Sequence, residues 1–499
     1  MEKVRSVRES ISLKAFVLAS ILIAAVSTGI TSYVYSSGSE IAIEKHSFIT
    51  CASYIIEKDG ATIKAFNGTT GQLHTSGPDA VTVIESAISA APEGGTVVVR
   101  ESHSALELSN VLRINKSINF YSYARLKTCD SFPTFRVIEI SASNVIVYIY
   151  EFDGNKAGNP EVHYNGVNFK GCQNVEAYIH TKNMGYGDIC FAGESANYNK
   201  NIRLHLHSED SGGGRDLSFV VFANPYNDNI VISGHVKNVT KLTDGGQVLY
   251  ISGTLGTITL KDFTAENMSV TKPIIDVRPN GTLFIDNVEL KTLSDHGLMI
   301  ASGAEVYAKN FRILGVDASK YGITNRGLFI GSNIKVDGGT HAIETRMGSD
   351  DLMLNGFELS GSTSYHIRVR SDSKGYHTIV NGKIAGAYGI WDHCSQKSIF
   401  ENLDLSEVTT IKAFDTVVRD SVGWTEKNCG VVSRTGSYTS VMVAHGLSKI
   451  PTVALVTPEQ DGQGTVWVSA INNTSFLINF DNQPGADTWY FYWYAEYRP

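Results

Sequence analysis

Between residues 275 and 393, arginine, two carboxylates, a tryptophan and a histidine recur at matched positions. Residue types of this kind, brought into one line, would hold an extended anionic sugar chain. Counting from Ile275, Leu298, Ile323, Ile343, Ile367 and Ile390, the next residue reads Asp276, Met299, Thr324, Glu344, Arg368 and Trp391. The third residue reads Arg278, Ala301, Arg326, Arg346, Arg370 and His393. A guanidinium is a planar fork that takes a carboxylate through two hydrogen bonds, and an indole face can stack on a sugar ring. The candidate glycan-binding set is therefore Asp276, Arg278, Arg326, Glu344, Arg346, Arg368, Arg370, Trp391 and His393. The competing reading is a solvated face, in which Asp276 and Glu344 neutralise neighbouring arginines in surface ion pairs worth at most about 1 kcal/mol each.

Other titratable groups form weaker constellations. His205 and His207 share a strand face at spacing two, without a third ligand such as zinc requires. Asp295-His296 and Asp392-His393 are adjacent acid/base pairs. Glu209-Asp210 with Asp216, and Asp350-Asp351, are acids at turns, where paired acids are usually solvated. The six cysteines contain no CxxC pair and no histidines at zinc-finger spacing, so no metal site is expected. They allow 15 disulfide connectivities, or six free thiols acting as small apolar residues.

The elements that would align the arginines are set by a repeat of roughly 23 residues between about 257 and 405. Each copy pairs a short turn with an alternating strand. The turns are Asp262-Phe263, Asn287-Val288, Asn310-Phe311, Asn333-Ile334, Gly356-Phe357 and Asn402-Leu403, with Gly382-Lys383 as a degraded member. So short a copy cannot bury its own apolar face and must stack on the next. Coils then lie about 4.8 Å apart, and the arginine columns become a strip roughly 25 Å long. Longer copies start near Asn144-Val145, Asn174-Val175, Asn201-Ile202 and Asn229-Ile230, with insertions at 153–159, 184–188 and 211–215.

At the N-terminus, residues 1–14 form a basic tail carrying Lys3, Arg5, Arg8 and Lys14, and Ala15 to Ser39 carry no charge. About 20 apolar residues cross a bilayer core, so 15–36 reads as a transmembrane helix with the basic side cytoplasmic. A cleaved signal peptide is the alternative. Either way the remainder is exported, and the Asn-x-Ser/Thr triplets at Asn67, Asn115, Asn238, Asn267, Asn280, Asn472 and Asn473 are compatible with that. Charged residues make up only 18% and the net charge is −8 without a like-charge run, which argues against a nucleic-acid partner.

After a hairpin signal at Lys58-Asp59-Gly60 comes Gly77-Pro78-Asp79, then an Ala/Ile-rich run from Ala80 to Ala90 with helical spacing, then Gly94-Gly95-Thr96-Val97. Asp79 is a plausible N-cap, and the helix at 79–91 would cap the open end of the stack. This order resembles the opening of pectate-lyase-superfamily right-handed β-helices, which include epimerase-like proteins and phage tailspikes. Residues 430–499 hold five evenly spaced strand signals that suggest a small sandwich. In the last, Trp489, Phe491 and Trp493 face one way and Tyr490, Tyr492 and Tyr494 the other. The frame His445-Gly446-Leu447, Pro451, Trp467-Val468-Ser469-Ala470 and Trp493-Tyr494-Ala495-Glu496 looks like terminal β modules of phage tail and related surface proteins, which bind sugars or hold subunits together.

The expected fold is all-β: a right-handed parallel β-helix over 53–425 with an N-terminal transmembrane helix and a small C-terminal β-sandwich. The expected function is recognition of surface or environmental polysaccharide by a membrane-anchored extracellular protein, as an adhesin or tailspike-like receptor-binding protein. A polysaccharide lyase or glycoside hydrolase acting on uronic-acid-containing glycans is the rival, and a structural stalk or coat protein the third reading. The resemblance implies a homotrimer, and calcium as cofactor only if the protein is a lyase. The trio of Asp with Gly-His-Gly and Arg-x-Lys that marks polygalacturonase-like hydrolases is not found.

Overall fold

The computed structural model describes residues 51–497, apart from short segments at 160–164, 186, 212–219, 241–246, 254–255, 347–348, 395–397, 414–416, 420, 423–426, 448–449 and 460–463. The expected tail at 1–14 and transmembrane helix at 15–36 lie outside the described residues. Among those described, no helix is long and apolar enough to cross a membrane.

The chain opens with an antiparallel hairpin, Tyr54–Asp59 against Thr62–Asn67, turned at Gly60 with φ +59°. The one helix among the described residues, Ala80–Ala90, starts where the Asp79 side chain accepts the Thr82 amide at 2.9 Å. This cap satisfies one of the amides that a helix start leaves unpaired. Ala80, Val81, Val83, Ile84, Ala87 and Ile88 bury one face of it in the same apolar cluster as the coils that follow.

Those coils form a parallel β-solenoid. Long strands such as Ile258–Ser269, Thr282–Leu293, Glu305–Val316 and Leu328–Gly338 alternate in sequence with short ones, Ile275–Val277, Leu298–Ile300, Tyr321–Asn325 and His341–Thr345. Each long strand pairs in parallel with the next long strand, and each short strand with the next short one. The result is one long-strand sheet, one short-strand sheet and a continuous core between them.

Asparagine makes the bends. In Thr282–Leu293 the inward residues are Leu283, Ile285, Val288, Leu290 and Leu293, so strict alternation is broken by the outward pairs Asp286-Asn287 and Lys291-Thr292. Asn287 and Thr292 have φ of +57° and +54°. Asparagine tolerates this left-handed conformation better than most residues, and here its side chain is used as well. Asn287 Nδ2 donates to Asp262 Oδ1 at 2.7 Å, Asn333 to Asn310 at 2.7 Å, and Asn402 to Asn381 at 2.7 Å. The sixth bend thus belongs to Asn381, φ +57°, and the supposed degraded copy at Gly382-Lys383 is a regular one displaced by a single residue.

The earlier asparagines form a second ladder, Asn144, Asn174, Asn201 and Asn229, with side-chain bonds of 2.8–3.0 Å. They do not continue the Asn287 series. Val145, Val175, Ile202 and Ile230 are in register with Ile258, whereas Val288 follows Phe263. Two bends of the coil look alike in sequence because both use the same Asn-apolar pair.

The C-terminal part has two three-stranded antiparallel sheets. One orders Lys427–Gly436, Gly485–Glu496 and Val453–Pro458; the other orders Ser440–Ala444, Ser475–Phe480 and Val466–Ser469. The strand Lys427–Gly436 begins ahead of the expected 430 boundary and is absent from the five sequence signals. The two sheets share an apolar cluster of their own, which contains Trp489, Phe491 and Trp493, while Tyr490 and Tyr492 are exposed. None of the six cysteines is in a disulfide. Burial pushes the Cys172 thiol up to about 12 and that of Cys190 to about 11, as expected of inert packing thiols.

Candidate functional site

The short-strand sheet places the arginine columns. Ile275, Leu298, Ile323, Ile343, Ile367 and Ile390 are successive register partners and are all buried. Asp276, Met299, Thr324, Glu344, Arg368 and Trp391 follow one residue later in the same register. The second column lies just past the strand ends. The amides of Arg278, Ala301, Arg326, Arg346 and His393 each donate to the last strand residue of the preceding coil, at 2.9 Å in every case.

The side chains differ from expectation in one respect. Asp276 and Glu344 belong to the outward column, yet both are fully buried. Arginine is long enough to fold back over a shorter acid, so burial does not alternate on this wall. Arg278 reaches Asp276 at 2.8 Å, and Glu344 receives Arg346 at 2.5 Å and Arg368 at 3.3 Å. Arg370 lies 3.4 Å from Asp372. Arg326 is exposed and has no ion pair among the described residues. His393, at the end of the strip, is exposed too.

Aromatic rings also contact three of the guanidinium groups. Arg278 sits 5.7 Å from the Tyr250 ring centre, Arg346 5.0 Å from Tyr321, and Arg368 4.7 Å from Trp391. At these separations the ring quadrupole attracts a cation, by about 0.5–1 kcal/mol where exposed. Tyr250 and Trp391 stand in the same column as Asp276 and Arg368, whereas Tyr321 belongs to one that the sequence-based expectation passed over: two residues before Leu298, Ile323, Ile343, Ile367 and Ile390 stand His296, Tyr321, His341, Tyr365 and Tyr388. His296 stacks on Tyr321 at 5.0 Å and Tyr321 on His341 at 5.4 Å. The signal was legible at a constant offset of minus two, on the side of the strand where no column was counted.

Electrostatically, Glu344 answers two arginines with one charge, so its level of the strip stays net positive. Burial raises the Asp276 carboxyl above its ordinary range against the opposing pull of Arg278. Its Oδ1 and Arg278 Nε have no hydrogen-bond partner. Asp188 is also raised by burial, to about 7, although Ser208, Thr181 and Ser211 donate to it. It belongs to the strand Gly187–Phe191 of the same short-strand sheet, three coils before Ile275, and is wholly buried against Thr181 and Ser208. Of the other pairs, Asp295 is taken by Lys320 at 2.8 Å, and the Asp392 carboxyl accepts the Cys394 amide at 3.0 Å. Asp350-Asp351 joins no cluster of three metal-ligating groups among the described residues, and Asp216 lies outside them.

No protein-family model and no curated protein matches the chain. Among solved structures, it is similar to a tailspike of E. coli bacteriophage HK620 in complex with a pentasaccharide, at 10% identity over 86% of this chain and 92% of that one, with a TM-score of 0.49. It is also similar to the A-module of an Azotobacter vinelandii mannuronan C-5 epimerase, at 13% identity over 69% and 93%, TM-score 0.40. A third is a tailspike of Acinetobacter baumannii bacteriophage AP22 in complex with capsular saccharide, at 14% identity over 76% and 69%, TM-score 0.32. These neighbours are two tailspikes and an epimerase module, and the parallel β-solenoid of this chain is shown by its own strand pairing.

Proposed function

We propose that the short-strand wall recognises an extended anionic polysaccharide, and that the protein is an adhesin or tailspike-like receptor-binding protein displayed outside the cell. The observation that carries this reading is the way the arginines are held. Arg278, Arg346 and Arg368 each contact both a buried carboxylate and an aromatic ring, yet keep 41%, 27% and 28% of the side chain exposed. A guanidinium has five donors, so those not spent on the acid remain for a ligand. Fixing such flexible side chains beforehand lowers the entropy lost on binding. Plain surface ion pairs do not need carboxylates buried beneath them. Arg326 and Arg370 extend the line, and Trp391 closes it with a ring partly open to solvent.

Two finer parts of this reading rest on sequence and resemblance. The apolar segment 15–36 would anchor the chain in a membrane with the bulk extracellular, and the assembly would be a homotrimer, which light scattering of the purified protein can test. For recognition itself, a panel of uronic-acid polymers is the probe. Arg346→Ala and Arg370→Ala should each weaken binding more than tenfold, while Phe284→Ala, on the long-strand sheet, should leave it unchanged. Equal binding by all three variants would remove the proposal.

Enzyme action is the second reading, favoured by Asp276, a buried carboxyl with a raised pKa and an unpartnered oxygen; it requires Arg278 to swing off Asp276, which is fully covered, before the acid can reach a substrate. A lyase or hydrolase would release unsaturated products or reducing ends from the same polymers, with calcium as an added variable, and lose that activity in Asp276→Asn. If neither binding nor turnover is found, the stalk or coat reading gains.

A further inference from the structure

On the other sheet, the coils bring together three side chains that are far apart in sequence. His180 and His207 are register partners on adjacent long strands, both facing outward, with ring centres 4.6 Å apart. Glu209 is two residues beyond His207 on the same face, and its carboxylate lies 2.6 Å from His207 Nε2. One ligand atom from each of the three falls within 4.8 Å of the others. His205, which shares a strand face with His207, belongs to a neighbouring column and stacks on Tyr178 at 4.4 Å.

We propose that His180, His207 and Glu209 bind a divalent transition-metal ion of the zinc class, which ties two successive coils together. Two imidazoles and a carboxylate are an accepted ligand set for such an ion, with bonds of about 2.0–2.2 Å and a fourth position left for water. Ligand atoms on a tetrahedral ion of that size stand about 3.3 Å apart, so closing the site takes only small side-chain rotations.

Two independent features point to a ligand. First, His180 Nε2 is buried and has no hydrogen-bond partner, while the Tyr150 backbone hydrogen-bonds its ring. A ring held through one nitrogen presents the other as a lone pair, which is how metal-ligating histidines are usually oriented. Second, the group already contains a cation: Lys237 Nζ lies 2.8 Å from Glu209. Lys237 is a long side chain, 31% exposed, and can leave when a better-coordinated charge arrives. On metal binding, His207 Nε2 and Glu209 would exchange their mutual hydrogen bond for bonds to the ion, releasing any proton held between them. His235, one coil further on, is engaged with Thr264 and Glu266 and is not required.

The test is titration of the tag-free protein with zinc chloride alone, followed by calorimetry and equilibrium dialysis. One ion per chain is expected. His180→Ala and His207→Ala should each weaken binding more than tenfold, Lys237→Met should tighten it severalfold, and His205→Ala should change nothing. Zinc should also raise the melting temperature of the parent protein and not of His207→Ala. Absence of a stoichiometric site, or equal affinity in His207→Ala, overturns the proposal. Should His180→Ala not fold, Glu209→Gln takes its place with the same expected loss of affinity, because that side chain lies on the outer face.

Discussion

Glu344 carries more of the candidate site than any other single group, since one fully buried carboxylate orients two arginines. Removing one partner of a buried ion pair typically costs about 3–5 kcal/mol. Here the loss should be smaller, about 1–3 kcal/mol, because Arg346 and Arg368 are each more than a quarter exposed and can turn out to water. We therefore expect Glu344→Ala to lower the denaturant midpoint modestly and to weaken polymer binding even though Glu344 itself cannot touch a ligand. An unchanged midpoint together with unchanged binding would show that the acid does not position the arginines. The identity of the columns was readable from residue types and spacing. That Asp276 and Glu344 lie beneath the arginines was not, because alternation says which way a Cβ points and nothing about which longer side chain folds over it.

At the scale of the coil, the bend residue is under two demands. It must adopt φ near +53° at Asn333, and it must continue the amide ladder from Asn310. Asn333→Gly keeps the first and loses the second; Asn333→Ala loses both. A left-handed alanine costs about 1–2 kcal/mol, and an exposed hydrogen bond about 0.5–1.5 kcal/mol. The expected order in melting temperature is parent, then Gly, then Ala, and an Ala variant as stable as the parent would show that the bend is set by core packing alone. The regular copies were legible because each bend inserts an extra outward residue between apolar ones. The offset at Asn381 and the merging of two ladders show the limit of that signal. Local sequence reports that a bend occurs, whereas register with the coils on either side decides which bend it is.

Across the whole stack, buried or half-buried imidazoles recur in the later coils. Burial is the largest influence on His296, His341, His366 and His377 and lowers each of them, His377 to about 4. Their folded pKa values fall below the unfolded value of about 6.5. The unfolded chain thus takes up protons first as pH falls, and stability present above about 6.5 is lost as pH drops towards 4. Melting temperature should decline between pH 6.5 and 4.5, and less steeply in His377→Gln, whose Ser373 contact at 2.8 Å a neutral amide can replace. Parallel slopes for the two proteins would count against this. The C-terminal sheets divided as alternation predicted: Phe491 is wholly buried and its neighbours Tyr490 and Tyr492 exposed.

By itself, the sequence determined that the chain is a stack. A 23-residue apolar pattern with asparagine bends has no other way to bury its surface, and the same periodicity fixed which residues share the arginine columns. Tertiary structure alone decided how side chains meet across the coils: acids covered by arginines, and on the opposite sheet a histidine pair whose members are 27 residues apart in the chain. The physical reason is that stacking converts one coil of sequence into a single step of about 4.8 Å. Contacts across that step depend on side-chain length and rotamer, which composition and spacing do not encode.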